Sequence, residues 1–253
     1  MDTGEFDQRA LLRDRATTIN HKAEFLFDGH SEGKGWLIPN EAYHHSTAPV
    51  LKEYAVEGAL ISVGFGRGFD TLIGVPKIKE LIIFDYSREV SLLSLATLEI
   101  AYRHKMIYGD FKTSEEFIRY FKEENVDETM TLLTGAFSDE DAEIVKDLFS
   151  KRYQKGFDEN HLGVQPPLLI ESYLRYLADQ DLYESWVSSA DAINTLATRY
   201  GNGEVHVICG DLSKKEDIDF LLQYLIEKKM TLSVADISNV DKYFNRTSRD
   251  SFR

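Results

Sequence analysis

The sequence predicts an α/β protein built on a parallel sheet, and three observations carry that expectation. Two short apolar runs, residues 59–63 and 81–84, end at Gly64 and Asp85. Both are too short for helices and rich in β-formers, which is how strands buried on both faces read. Helical signals follow each run, and the alternation resumes at 204–209 and 232–235. Strand, helix, strand, helix in that order is the signature of an α/β sheet.

Each element has a local reason. Phe69 to Val75 can form a short helix that stops before Pro76, because the residue preceding a proline is pushed out of the helical region. Ser87 is placed to cap a helix over 88–104, with Val90, Leu93, Ile100 and Ala101 on one face. From about 105 to 203 the pattern turns helical. Thr113-x-x-Glu116 is a capping box ahead of Phe117, Tyr120 and Phe121. Ser138-x-x-Asp141 precedes Ala142, Val145, Leu148 and Phe149 at helical spacing. Pro166-Pro167 breaks the chain before a helix starting near Leu168, and a last helix near 183–200 should stop at Gly201. This long segment is expected to contribute no strand, serving as a packing layer or as a cover that selects a substrate. After it come a strand over 204–209 ending in Gly210-Asp211, and a helix capped by Ser213-x-x-Glu216 with Ile218, Leu221, Leu222 and Leu225 on one face. A last strand, 232–235, ends at Asp236.

Composition narrows the function classes. The chain has 253 residues, is 43% hydrophobic and 28% charged, and carries a formal charge of −14. These are the proportions of a globular protein. The charge disfavours nucleic acid as a partner, since every phosphate contact needs a cation to neutralise it. Cys209 is the only cysteine, so no disulfide scaffold exists. No apolar run reaches membrane-spanning length, and the first residues lack the basic and apolar regions of a signal peptide. The expectation is a cytoplasmic protein with no membrane partner.

Residues 1–50 read as a polar, irregular N-terminal segment with one apolar patch, Phe25-Leu26-Phe27. Its glycines at 29, 33 and 35 predict a loop, either a plain surface loop or a lid over a site. Three residues separate Gly29 from Gly33 and Gly35 follows Lys34, which rejects a Walker phosphate loop. His44 and His45 beside Tyr43 lack the spacing of a zinc motif and read as loop histidines. Cys209 lies inside an apolar strand and reads as a small buried hydrophobe.

The chemistry-bearing segment is Val63-Gly64-Phe65-Gly66-Arg67-Gly68, with Asp85 twenty-one residues after Gly64. Glycines at a strand's end let the backbone approach a ligand and open a helix whose N-terminus is partially positive. An acid at the end of the neighbouring strand can accept hydrogen bonds from ribose hydroxyls. The G-x-G-x-G spacing differs from the G-x-G-x-x-G of dinucleotide folds, position 69 being Phe.

On these residues the chain resembles the class I S-adenosylmethionine-dependent methyltransferases, whose first motif is G-x-G-x-G after a strand. The tail from Gly210-Asp211 to Ser238-Asn239-Val240-x-x-Tyr243 is also similar to uncharacterised bacterial proteins of this fold. The resemblance implies a Rossmann-like doubly wound parallel sheet over 51–253, with the helical insertion at about 105–203 lying between the second and third of its strands. It implies S-adenosylmethionine as a small-molecule cofactor, held by Gly64, Gly66, Gly68, Asp85, Tyr86, Asp211, Leu212 and Asp236. Asp85 would face the ribose and Asp211 the adenine amino group, while Asp236 and Asn239 would stand at the methyl-transfer site. Gly109-Asp110 competes with Gly210-Asp211 for the third-strand role, but residues 105–108 make the poorer strand.

The departures from the family are Ser62 where an acid is usual, with Asp70 a candidate substitute, and no Asp/Asn-Pro-Pro-aromatic motif after the last strand. The chain ends 14 residues after Asn239, so the sheet is expected to be truncated, short or completed elsewhere. No general base is assignable, and the methyl acceptor would be a small molecule or a protein side chain. The alternatives are a non-catalytic Rossmann-like interaction protein and an NAD(P)-dependent oxidoreductase.

Overall fold

The computed structural model describes residues 8–29, 47–151, 169–179 and 185–236. Its sheet contains β1 (Phe27–Asp28), β2 (Gly58–Ser62), β3 (Ile78–Asp85), β4 (Val205–Cys209) and β5 (Leu232–Asp236). All neighbours pair in parallel, in the spatial order β1-β4-β3-β2-β5. The four strands expected from the apolar runs are therefore present in one sheet. β1 is an addition at the edge beyond β4, and it takes the order away from the usual doubly wound one.

Side chains alternate across the sheet, as the period of two requires. Leu60, Leu81, Ile83, Val205 and Val207 enter the large core on one face. Ala59, Ile61, Ile82, Phe84 and Ile208 enter a smaller core on the other. The large core is built with α3 (Arg67–Gly74) and α4 (Arg88–Tyr108), which supply Phe69, Leu72, Leu93 and Leu98 among others. α4 buries residues all round its surface because it lies between the sheet and a further helical layer. The small face is covered by α10 (Lys215–Glu227) through Leu221, Tyr224 and Leu225.

The layer outside α4 is the expected insertion. It comprises α5 (Ser114–Ile118), two 3-10 turns (Arg119–Phe121 and Glu123–Asn125), α6 (Val126–Leu132), α7 (Asp139–Ser150), α8 (Ile170–Ala178) and α9 (Ala190–Gly201). Among its described residues no strand occurs. The caps form as read: Thr113 accepts from the Glu116 N–H at 3.2 Å, Ser138 from Asp141 at 3.2 Å and Ser87 from Val90 at 3.4 Å. Residues 105–108 belong to α4, which ends at Gly109, so Gly109-Asp110 is a helix terminus and not a strand end.

Two sequence expectations are corrected. Ser213 does not cap α10; the cap position is Lys214, which makes no side-chain cap bond, and the Asp211 carboxylate accepts from the Ser213 N–H at 2.8 Å instead. An Asx turn has replaced the capping box, because the aspartate reaches the backbone two residues on. Among its described residues the N-terminal segment is not irregular: α1 (Gln8–Thr17) packs on the insertion with Leu12 and Ala16 buried, and Phe27–Asp28 joins the sheet. A two-residue strand and a helix with two buried side chains carry too little periodicity to be read. Further on, α2 (Thr47–Tyr54) leads into β2. The glycines at 33 and 35, Tyr43, His44, His45, Pro166-Pro167, Asn239 and Tyr243 lie outside the described residues, so the lid reading and the histidine reading rest there.

What holds α1 and the loop after α6 to α4 is a fully buried ion pair. Arg103 donates from Nε to Glu99 at 2.6 Å, and its other nitrogens donate to the carbonyls of Ala16, His21, Leu132 and Thr134. Glu99 also accepts from the Tyr200 hydroxyl at 2.8 Å and meets His21 Nδ1 at 2.6 Å. Both ionised side chains are completely shielded from solvent. Arg103→Met should cost about 3–5 kcal/mol, because it leaves Glu99 buried without its cation. Urea unfolding measures this, and Glu99→Gln added to Arg103→Met should recover part of the loss.

Candidate functional site

The strands end on a common crest. Asp28, Cys209 and Asp85 stand in register across β1, β4 and β3, and Ser62 stands in register with Ile83 and Asp236. The chain runs from β2 outward to β3 and β4, then returns to β5 on the other side of β2. The strand order reverses between β2 and β5, and the crevice at such a reversal is where open α/β sheets bind ligands.

The glycine loop sits at that point. Gly64 and Gly66 have φ of +91° and +76°, a left-handed backbone that favours glycine. A Cβ on Gly64 would meet nothing within 4 Å, so this position is open. A Cβ on Gly68 would lie 2.5 Å from a Leu81 methyl and 2.9 Å from the Ser62 Cβ. That glycine serves the close packing of α3 on the strands. A Cβ on Gly66 would lie 3.2 Å from the Trp186 indole nitrogen. The second glycine thus faces a side chain of the insertion.

Trp186 is buried against Phe65, Phe69 and Phe117, with the Phe69 ring 5.0 Å away and nearly perpendicular. Its backbone N–H donates to the Asp70 carboxylate. Asp70 therefore docks the insertion on α3. Nothing in the hydrophobic spacing marked Trp186; its sequence separation from the glycine loop hid the contact.

Asp85 stands beside the loop as expected. Its carboxylate accepts from the Ser87 N–H at 2.8 Å and lies beside the Gly64 backbone, between the loop after β3 and the loop after β2. Burial pushes its pKa up to about 7 despite the backbone groups of Ser87 and Gly64, which favour the charged form. Tyr86 follows it on the surface, 37% exposed. Asp236 forms an ion pair with Arg67 at 2.6 Å, across the crevice between β5 and α3. The Val63 N–H donates to the Asp236 carbonyl at 3.0 Å, which fixes the end of β5 beside the loop. Gly66 and Asp236 thus share one crevice.

The third-strand end is arranged differently. The Gly210 N–H donates to the Asp85 carbonyl at 2.8 Å. Asp217, buried in α10, accepts from the Asp211 N–H at 2.7 Å and crowds both Gly210 and Gly29. The Asp211 side chain closes its own turn, and Leu212 packs against the small core. At the far edge Arg88 pairs with Asp28 and with Asp141, tying β1 and α7 to the start of α4. Cys209 is buried. Among the described residues no cluster of His, Cys, Asp and Glu could hold a metal ion, and no helix is long and apolar enough to cross a membrane.

A second concave region lies at the other end of α4, roughly 30 Å away along a helix of 21 residues. It is a cavity of about 730 Å³ lined by His104, Tyr108, Tyr120 and charged side chains of α5 and α6. His104 stacks on Phe111 at 3.7 Å and meets the Tyr120 hydroxyl at 2.9 Å; burial pulls its pKa down to about 4.

A family described as "Domain of unknown function (DUF7790)" matches residues 36–253. The chain belongs to this family. A search of the curated proteins finds no match.

Asp85 makes stability depend on pH. Its folded pKa lies above the unfolded value, so its contribution is fully present below about pH 4 and is lost as pH rises through about 7. The unfolding free energy of the wild type should therefore fall relative to Asp85→Asn between pH 4 and 7. Denaturant titrations of both proteins, with an NMR titration of the Asp85 carboxyl, measure it; a midpoint near 4 contradicts the assignment. In the same loop Gly68→Ala should cost about 1–3 kcal/mol by overpacking against Leu81, read as a lowered urea midpoint.

Proposed function

We propose that this protein is a Rossmann-like domain that binds S-adenosylmethionine at the glycine loop and acts as a methyltransferase on a small molecule or a protein side chain. One observation carries the reading. The Gly64-x-Gly66-x-Gly68 loop lies at the order reversal of a parallel sheet, with the acid that ends the next strand beside its first glycine. Set aside β1, and the remaining strands run third, second, first, fourth, which is the order of the doubly wound dinucleotide sheets. Helices on both faces fit the same layering.

The residues present fit an adenosyl ligand in part. Gly64 is open above its Cα, and the Asp85 carboxylate has lone pairs beyond the one that Ser87 uses. Tyr86 is exposed next to it. The bound cofactor would supply a sulfonium methyl group; the chain's part would be to hold the acceptor in line with it. Ser62 is no acid, and Asp70 does not replace one here because it holds the Trp186 backbone. Asp211, closed on its own turn, would have to open to reach an adenine.

A non-catalytic binding protein is the second reading, and the position of Trp186 favours it. An indole against Gly66 and an ion pair across the crevice fill space that a cofactor tail would need.

Calorimetric titration of S-adenosylhomocysteine and NAD in parallel tests both. The expected result is S-adenosylhomocysteine binding that weakens by about 10- to 150-fold in Asp85→Ala, the loss of charge-assisted hydrogen bonds. Circular dichroism checks folding, since the same change releases the Ser87 N–H. Silence of both ligands in the folded protein moves the reading to the non-catalytic one.

A further inference from the structure

The crevice between β2 and β5 carries a charge arrangement that the glycine motif does not require. Arg67 occupies a variable position of the motif, at the first residue of α3, and its side chain is 10% exposed. Asp236 faces it from the end of β5 and is 22% exposed. The other crest acids are held differently: Asp85 and Asp211 by backbone N–H groups, Asp28 by Arg88. Among the described residues, Asp236 has Arg67 as its side-chain partner.

Around the same turn, polar donors stand without partners. The Trp186 indole N–H has none, although Trp186 is 1% exposed and this nitrogen lies against Gly66. The Ser62 and Ser185 hydroxyls are also buried and unpartnered, Ser62 beneath Gly68 and Ser185 next to Trp186 in the chain. Gly66 caps α3 in a left-handed conformation with no side-chain cap bond. The partial positive charge of that helix start faces the same turn. Asp70, the acid of the first turn, is engaged by the Trp186 backbone N–H. A buried donor left unpaired is costly, and the unpartnered indole N–H lies against Gly66, the cap of the helix that Arg67 begins.

We propose that Arg67, with the Trp186 indole N–H, is the receptor for an anionic group of the ligand, and that Asp236 is its internal competitor. The ligand's carboxylate or phosphate takes the place of the Asp236 carboxylate on Arg67, and Asp236 swings out to the crevice mouth. The exchange conserves charge on the guanidinium, so it needs no unpaired buried cation at any stage. A fork of N–H donors suits either oxyanion. The inference rests on the reading that the crevice holds a ligand; it adds which chemical group is recognised and by what.

Three probes separate the possibilities: S-adenosylhomocysteine, 5′-methylthioadenosine, which lacks the amino-acid carboxylate, and inorganic pyrophosphate. Each is titrated into the wild type, Arg67→Ala, Asp236→Asn and Trp186→Phe, with thermal melts as the folding control. Arg67→Lys replaces Arg67→Ala if the latter does not fold. Arg67→Ala should weaken S-adenosylhomocysteine about 10- to 150-fold, and leave 5′-methylthioadenosine unchanged. Asp236→Asn should tighten S-adenosylhomocysteine, because the competitor's charge is gone. Trp186→Phe keeps the ring packing and should weaken it by about 2- to 12-fold. Arg67-dependent pyrophosphate binding with both adenosyl probes silent supports the receptor and overturns the methyltransferase reading. Equal responses of S-adenosylhomocysteine and 5′-methylthioadenosine to Arg67→Ala overturn the receptor and leave that reading standing. Silence of all three probes overturns both.

Discussion

Arg103 has five N–H donors and no contact with water, and in that position every donor must find an acceptor. Glu99 supplies the countercharge one helical turn away on α4, and the carbonyls of Ala16, His21, Leu132 and Thr134 supply the remainder. These carbonyls come from the end of α1, the segment before β1, and the end of α6. One side chain thus fixes the N-terminal segment and the start of the insertion to the central helix. A lysine could not do this, since its three donors radiate from a point while the guanidinium spreads its fork in a plane. The arrangement specifies where the segments lie more than it adds stability, because burying both charges costs much of what their attraction returns.

From this anchored α4 the crest follows. The N-terminus of α4 carries Arg88, which joins β1 to α7 through Asp28 and Asp141. The opposite side of the sheet is joined by Arg67 and Asp236. Between them Asp85 binds the backbone of its own loop, beside Gly64 of the neighbouring one. Strand ends rich in aspartate would repel one another without these partners. Each acid is instead matched to a guanidinium or to backbone N–H groups, and a crest with four acids is held together. The insertion completes the crest by bringing Trp186 to the glycine loop. It is therefore part of the candidate site as well as a packing layer.

The legible parts of the sequence were those whose cause is local. The runs 59–63, 81–84, 204–209 and 232–235 became strands because apolar β-formers of that length have few other uses. Thr113, Ser138 and Ser87 became caps because a hydroxyl reaches an N–H three residues ahead. Asp85 was found at the glycine loop because adjacent parallel strands place their ends together. Ser213 failed for an instructive reason: Asp211 offered the same backbone a nearer acceptor, and the helix began later. β1 went unread because pairing with β4, and no pattern of its own, makes those two residues a strand.

The sequence by itself determined an α/β sheet with a helical insertion, the positions of its caps, and a glycine loop with an acid beside it. These follow from period, chain length and residue chemistry within a few tens of residues. Only the tertiary structure decided that Trp186 faces Gly66, that Arg67 pairs with Asp236, and that Arg103 gathers Ala16, His21, Leu132 and Thr134. Those contacts join residues roughly 30 to 170 positions apart, and the energy that selects them is desolvation. A buried charge or indole takes whichever partner the fold brings within reach, and periodicity along the chain carries no record of that choice.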